Sequence, residues 1–339
     1  QLFYGPLSDS FGRKKPIYVG VFIYLIGCLI CVLATSFEVM LAGRLLQGLG
    51  VAGPRIVVVA IIRDRFSGND MARVMSFVMT VFILVPALAP SVGQGIMIFG
   101  NWRWIFVMFL VQALLALIWF ALRQPETLSA ERRYPISLRR IFRAAGEVIR
   151  HRVAFGYTIV AGFVFGAFLG YLTSCQQVFD VVYDRGAQMP QYFALLAMGL
   201  GAASLVNARL VTRFGMRRLS ALAMIAFCSL SIVFFVYAQS YDGAPPFLHF
   251  ILFCFVDFFF IGILFGNMNA AAMEPMGHIA GVAAAVTGFG TSFISVVLGS
   301  LIGQNFDGTV LPLVGGFAVM GCIAGLIMYG VERGRQKAI

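Results

Sequence analysis

The chain has 339 residues, 60% of them hydrophobic and only 12% charged, about half the charged fraction of a soluble globular protein. With apolar runs of about 20 residues recurring along it, this composition excludes a soluble fold. A transmembrane β-barrel is excluded as well, because its strands would be short and alternating.

In chain order, the first feature is Gly5–Lys15, GPLSDSFGRKK, a turn with one carboxylate (Asp9), two glycines and three cations. Only four residues precede it, and Gln1 is not an initiator. The sequence therefore predicts that one helix and most of the next lie upstream. Ten spans follow, at roughly 16–36, 39–62, 72–99, 102–122, 153–178, 190–211, 218–239, 247–272, 280–303 and 311–331. The longest polar stretch, 123–152, holds Pro125, Pro135 and eight arginines and separates four spans from six. The expected organisation is an N-terminal bundle over 1–122, a basic loop over 123–152, a six-helix bundle over 153–331 and a tail over 332–339.

The net charge of +11 invites a nucleic-acid reading that the charge positions remove. Loops on the side of the first turn carry 21 of the 25 Lys and Arg, the opposite loops carry Arg103 and Arg185, and Arg44 and Arg55 lie inside a span. Such asymmetry puts the first turn, the 123–152 loop and the tail in the cytoplasm. All six cysteines fall inside spans. Cys28 and Cys31 form a CxxC on one helix, read as small packing residues ahead of a redox or metal pair. The three histidines have no metal-ligand spacing.

At an offset of 203, Phe11-Gly12-x-Lys14-Lys15 matches Phe214-Gly215-x-Arg217-Arg218. Equivalent turns imply two helices before and four after in each half. The complete protein would then have twelve spans in two related halves, a transporter plan.

Gly5, Asp9, Gly12 and Arg13 resemble the loop motif of the major facilitator superfamily, with Ser10 where that family usually has Arg. Arg44-Leu-Leu-Gln47-Gly48-Leu-Gly50 is similar to its fourth-helix motif. Pro86-Ala-Leu-Ala-Pro90-Ser-Val-Gly93-Gln94-Gly95 is similar to its fifth-helix antiporter motif. Asn101–Phe106, Arg63-Asp64 with Met75–Met79, and Pro125-Glu126-Thr127 resemble the bicyclomycin-resistance branch. The resemblance implies an all-α major facilitator fold of two pseudo-symmetric bundles. It also implies proton-driven export of small lipophilic drugs or metabolites from a bacterial inner membrane, by a monomer that needs no cofactor beyond the proton gradient.

Asp9 can accept backbone N–H bonds at a helix end and pair with a cation. Arg63, beside Asp64, is the expected partner. In the family, Gly5, Asp9, Gly12, Arg13, Arg63 and Asp64 would form a cytoplasmic latch; the plain alternative is a loop that only sets topology. Arg44 inside a span is costly without a partner, so it either couples to a protonatable carboxylate or snorkels outward. Gln47 and Gly48 belong to the same motif, and Gly48 and Gly50 would let another helix approach. Arg55 either selects an anionic or zwitterionic cargo or snorkels. Asp257 is the acidic residue deep in a span. It could carry a coupling proton, bind a cationic drug, or lie near the outer interface in a shifted register. Pro86, Pro90, Gly93 and Gly95 are expected to break their helix where it lines a cavity. Tyr171, Gln176 and Asn267 are candidate cavity groups.

No P-loop GxxxxGK[ST] occurs, so ATP is not expected as the direct energy source. No HExxH or GxSxG motif suggests an enzyme. A nutrient or metabolite symporter of the same fold and a non-transporting membrane sensor are the competing readings. Lacking its upstream helix, the 339-residue chain is expected not to transport alone.

Overall fold

The computed structural model describes residues 3–336 apart from 67, 130, 132 and 134–137; for some helical residues, among them 55, 63, most of 68–87 and 138–141, it describes the backbone alone. The described residues form twelve α-helices and no strand. They are α1 (Tyr4–Phe11), α2 (Lys14–Leu33), α3 (Phe37–Arg65), α4 (Gly68–Phe99), α5 (Arg103–Arg123), α6 (Leu138–Arg150), α7 (Arg152–Gln177), α8 (Met189–Phe214), α9 (Met216–Gln239), α10 (Phe247–Met273), α11 (Ala280–Gln304) and α12 (Leu311–Gln336). Among the described residues, nine of these helices are long and apolar enough to cross a membrane. The tenth expected span is α4, whose 32 residues reach about 48 Å. The chain divides into two compact units, Gln1–Arg140 and Ile141–Ile339.

In lipid, helices gain little by burying apolar surface against one another, so close backbone approach holds them together. In the first unit this happens between α2 and α3. A Cβ on Gly50 would lie 2.5 Å from the Gly20 carbonyl oxygen, and one on Gly20 would lie 2.7 Å from that of Gly50. One level along, a Cβ on Gly27 would lie 2.7 Å from the Gly43 oxygen. Each helix thus presents two glycines seven residues apart on one face. Pro54 inside α3 removes the donor to the Gly50 carbonyl, and that oxygen faces Gly20 across the contact. Tyr4 of α1 donates its hydroxyl to Leu49 O at 3.2 Å, tying the short helix to the same stretch.

The second unit repeats the device between α7 and α11. Cβ atoms on Gly162 and Gly166 would meet Ile294 and Leu298 at 2.8 and 3.1 Å, and one on Gly299 would meet Leu169 at 2.6 Å. Beside this seam lies an aromatic core in which Phe227, Phe250, Phe258 and Phe317 are fully buried and Phe234 stacks on Phe253 at 4.2 Å.

Two expectations need correction. Pro86, Pro90, Gly93 and Gly95 do not break α4, which is helical throughout Gly68–Phe99. Each proline removes one backbone bond, and the unbroken turns on either side carry the helix across. The stretch 123–152 is not all loop, because Leu138–Arg150 is helix α6. Its apolar residues recur at helical spacing, although the arginines between them make the average polar.

Gly50→Leu should destabilise the first unit by about 2 kcal/mol through overpacking, read as a lowered thermal midpoint in detergent. Gly48→Leu is the control: a Cβ there meets nothing within 4 Å, so its midpoint should stay near that of the parent.

Candidate functional site: two charge clusters and a buried carboxylate

The helix pair α1–α2 is joined by Gly12, whose φ of +88° suits glycine and strains other residues. Next to it, Arg13 precedes α2, which begins with Lys14 and Lys15, three cations at the positive end of a helix dipole. Glu126, just past α5, offsets that. Its carboxylate accepts the backbone N–H of Arg13 at 2.9 Å and of Lys14 at 3.1 Å, and those of Thr127 and Leu128 at 3.0 and 3.1 Å. A Cβ on Gly12 would come within 2.7 Å of Glu126 Oε2, a second reason for glycine at that position. Burial pushes the Glu126 carboxyl upward, but the backbone donors outweigh it and hold it below the usual carboxylate range.

Arg13 is 4% exposed and divides its guanidinium among three partners. It forms an ion pair with Asp9, donates to Ser8 Oγ at 2.9 Å, and forks onto Asp64 from Nε at 2.8 Å and Nη2 at 3.3 Å. Thr127 adds a hydroxyl bond to Asp64 at 3.1 Å. The ends of α1, α2 and α3 and the segment after α5 therefore close on one guanidinium. The cation that bridges Asp9 and Asp64 is Arg13; the side chain of Arg63, the expected partner, lies outside the described residues. Gly5 makes no tight approach: a Cβ there would find its nearest neighbour, Ile56, at 4.0 Å. Glu126-Thr127, in the sequence only a mark of resemblance, caps the cluster in the structure.

The second unit has its own cluster at the equivalent turn. Gly215 has φ +77° and ψ 149°, against +88° and 165° at Gly12. Arg217 pairs with Glu332 of α12 and with Glu274, just past α10, at 2.6 Å. Buried Tyr157 of α7 donates its hydroxyl to Glu332. The backbone turn is shared with the first unit, but both carboxylates come from other helices.

Further along α3, Arg44 donates to Gln47 Oε1 at 2.9 Å and lies 5.9 Å from the Phe106 ring centre. Gln47, 3% exposed, passes the contact on to Cys28 Sγ at 3.0 Å. Asp257 is wholly buried within the protein, ten residues into α10, which is about 15 Å from its start. Ser231 of α9 donates to its Oδ1 at 3.4 Å, while Oδ2 has no partner among the described residues. Tyr171 is fully buried, edge-on to Phe258 at 4.9 Å. Asn267 exchanges two amide bonds with Asn207 of α8, at 2.9 and 3.1 Å. Gln176 is exposed near the end of α7. Pro90, Gly93 and Gly95 are half-buried in α4. The side chains of Arg55 and Pro86 lie outside the described residues.

The depressed Glu126 carboxyl gives a sign for pH. Its contribution is complete above the usual carboxylate value of about 4.3 and is lost as pH falls through the lower folded value. Amide exchange at Arg13 and Lys14, corrected for intrinsic rates, should therefore be level from neutral pH down past 5 and quicken only below about 4. Glu126→Gln should speed it about tenfold at neutral pH, the loss of one charge-assisted bond. Unchanged protection would remove Glu126 from the cap.

The model of the Major Facilitator Superfamily matches residues 1–300. A bicyclomycin resistance protein homolog of Haemophilus influenzae is 30% identical over 329 residues, covering 95% of this chain and 80% of that protein. The multidrug resistance protein MdtL of Salmonella heidelberg is 37% identical over 152 residues, 44% of this chain and 37% of MdtL. The solved structure of the human organic anion transporter MFSD10 (TETRAN) superposes with a TM-score of 0.65 at 17% identity, covering 96% of this chain and 79% of that one; it is a likeness of fold alone. On the family match and the near full-length relative, this polytopic membrane chain belongs to the Major Facilitator Superfamily.

Proposed function

We propose that the protein is a proton-driven exporter of small lipophilic molecules working by alternating access, with its glycine turns in the cytoplasm. The observation that carries the coupling is Asp257. An ionised carboxylate in a bilayer costs several kcal/mol unless a cation answers it. Here Ser231 supplies one long hydrogen bond, and Oδ2 has no described partner. A proton gained from one side and released to the other would change how α10 sits against α9. Having no exposed surface, Asp257 is a better proton carrier than cargo ligand. Arg44, joined through Gln47 to Cys28 on α2, is the coupling candidate of the first unit.

The clusters around Arg13 and Arg217 supply the gating. Arg13 holds Asp9 and Asp64, and the partly exposed Arg217 holds Glu274 and Glu332, so each cluster favours the conformation in which it is closed. The names of the bicyclomycin and MdtL relatives support a lipophilic, drug-like cargo for this chain.

Adding an exported drug to the detergent-solubilised full-length protein, without buffer, should release protons. Uptake of protons instead would favour the symporter, and no change would favour a sensor. Asp257→Asn should cut pH-gradient-driven efflux at least tenfold; full retention takes Asp257 out of the mechanism. Asp9→Asn should reduce efflux at normal expression, and unchanged efflux would leave the first cluster with topology alone.

A further inference from the structure

Helix α6 has more apolar surface than the protein covers. At 100° per residue, its described side chains fall into three stripes. Ala144 and Val148 are 6% and 1% exposed, and Val148 packs in a cluster with Ala154, Met276 and Ala283. Phe142 and Ile149 lie about 100–160° around the helix from these and are 69% and 52% exposed. Arg143 and Arg150 form the third stripe, about 100° beyond Phe142 and Ile149, with Glu147 about 40° from Arg143. An open recess of about 520 Å³ follows this basic side, walled by Phe142, Arg143, Gly146, Glu147, Arg150 and His151.

Position decides what covers the free apolar stripe. Only His151 separates α6 from α7, and it caps α7 by accepting the Ala154 N–H at 3.3 Å. Arg152 opens a 31-residue candidate membrane span. The last turn of α6 is therefore tied to the plane where lipid headgroups begin. A helix held there, with one apolar stripe on the bundle, a second one free, and arginines at its flank, matches the pattern of an interfacial helix. Positive flanks select a negative surface, and each Arg near an anionic leaflet favours it about fivefold.

We propose that α6 is an anionic-lipid docking helix. Phe142 and Ile149 enter the headgroup–acyl boundary of the leaflet at the start of α7, and Arg143 and Arg150 bind lipid phosphates along the recess. This holds whichever cargo or coupling the transporter uses.

The test uses the whole chain in nanodiscs of phosphatidylcholine mixed with phosphatidylglycerol, with bimane attached at Phe142→Cys, Ile149→Cys or Arg143→Cys. The unsubstituted chain, whose six cysteines lie in the helices, gives the background. Brominated acyl chains should quench the label at 142 and 149 severalfold more than at 143. With bromine on one lipid at a time, phosphatidylglycerol should quench about fivefold or more better than phosphatidylcholine. Arg143→Gln with Arg150→Gln should bring that ratio close to one while quenching at 142 persists. Labels at 142 and 149 that aqueous iodide reaches and bromolipid does not would overturn the proposal. So would labels hidden from both, which would mean that protein covers the stripe. Equal quenching by the two lipids in the parent chain would overturn the anionic preference.

Discussion

The structure depends on what a bilayer withholds. Lipid offers helices no hydrogen-bond partners and almost no apolar reason to pair, so contact must come from backbones that fit closely and charge must retreat to the ends. Both units obey this in the same way. Gly20 and Gly27 against Gly43 and Gly50 bring α2 to α3, and Gly162, Gly166 and Gly299 bring α7 to α11. Among the described residues, the ion pairs that then join several helices lie at the glycine turns, around Arg13 and Arg217. The proposed alternating access would gain from this division. The seams keep pairs of helices rigid, and the charge clusters, open to water on one side, can exchange partners.

The polar groups within the spans follow a related logic. Asn267 and Asn207 satisfy each other, and Gln47 links Arg44 to Cys28. Asp257 and Tyr171 depart from the pattern: Asp257 has one oxygen engaged and the other without a described partner, and the Tyr171 hydroxyl has none. Buried polar groups in a membrane are retained at a cost, and of these two Asp257 is the one that the proposed proton coupling would use.

Much of this was readable from the residues. Span positions followed from hydropathy because the lipid demands long apolar helices, and α10 begins at Phe247, where the 247–272 span was expected to start. The Phe-Gly echo at an offset of 203 foretold two turns of nearly equal φ and ψ. What escaped was pairing at a distance. Glu126 lies 113 residues from Arg13, and periodicity cannot say where a loop carboxylate lands. Helix α6 was hidden because its arginines mask its stripes in any window average. The broken α4 was expected from residue types alone, yet proline and glycine only permit a bend and do not impose one.

The reach of Glu126 bears on how the protein is made. Chains emerge from the ribosome N-terminus first, at about 5–20 residues per second. The guanidinium of Arg13 is therefore synthesised well before Asp64, and longer still before Glu126 caps the helix it begins. Through that interval α2 and α3 can form their glycine seam, with Asp9 and then Asp64 on the guanidinium, but the Arg13 and Lys14 N–H groups stand without their carboxylate cap. The residue that completes the cluster arrives only after α5 has been laid down. Assembly of the first unit thus has a built-in order, in which the lipid-embedded seam precedes the charged closure and the segment after α5 acts as its final fastening.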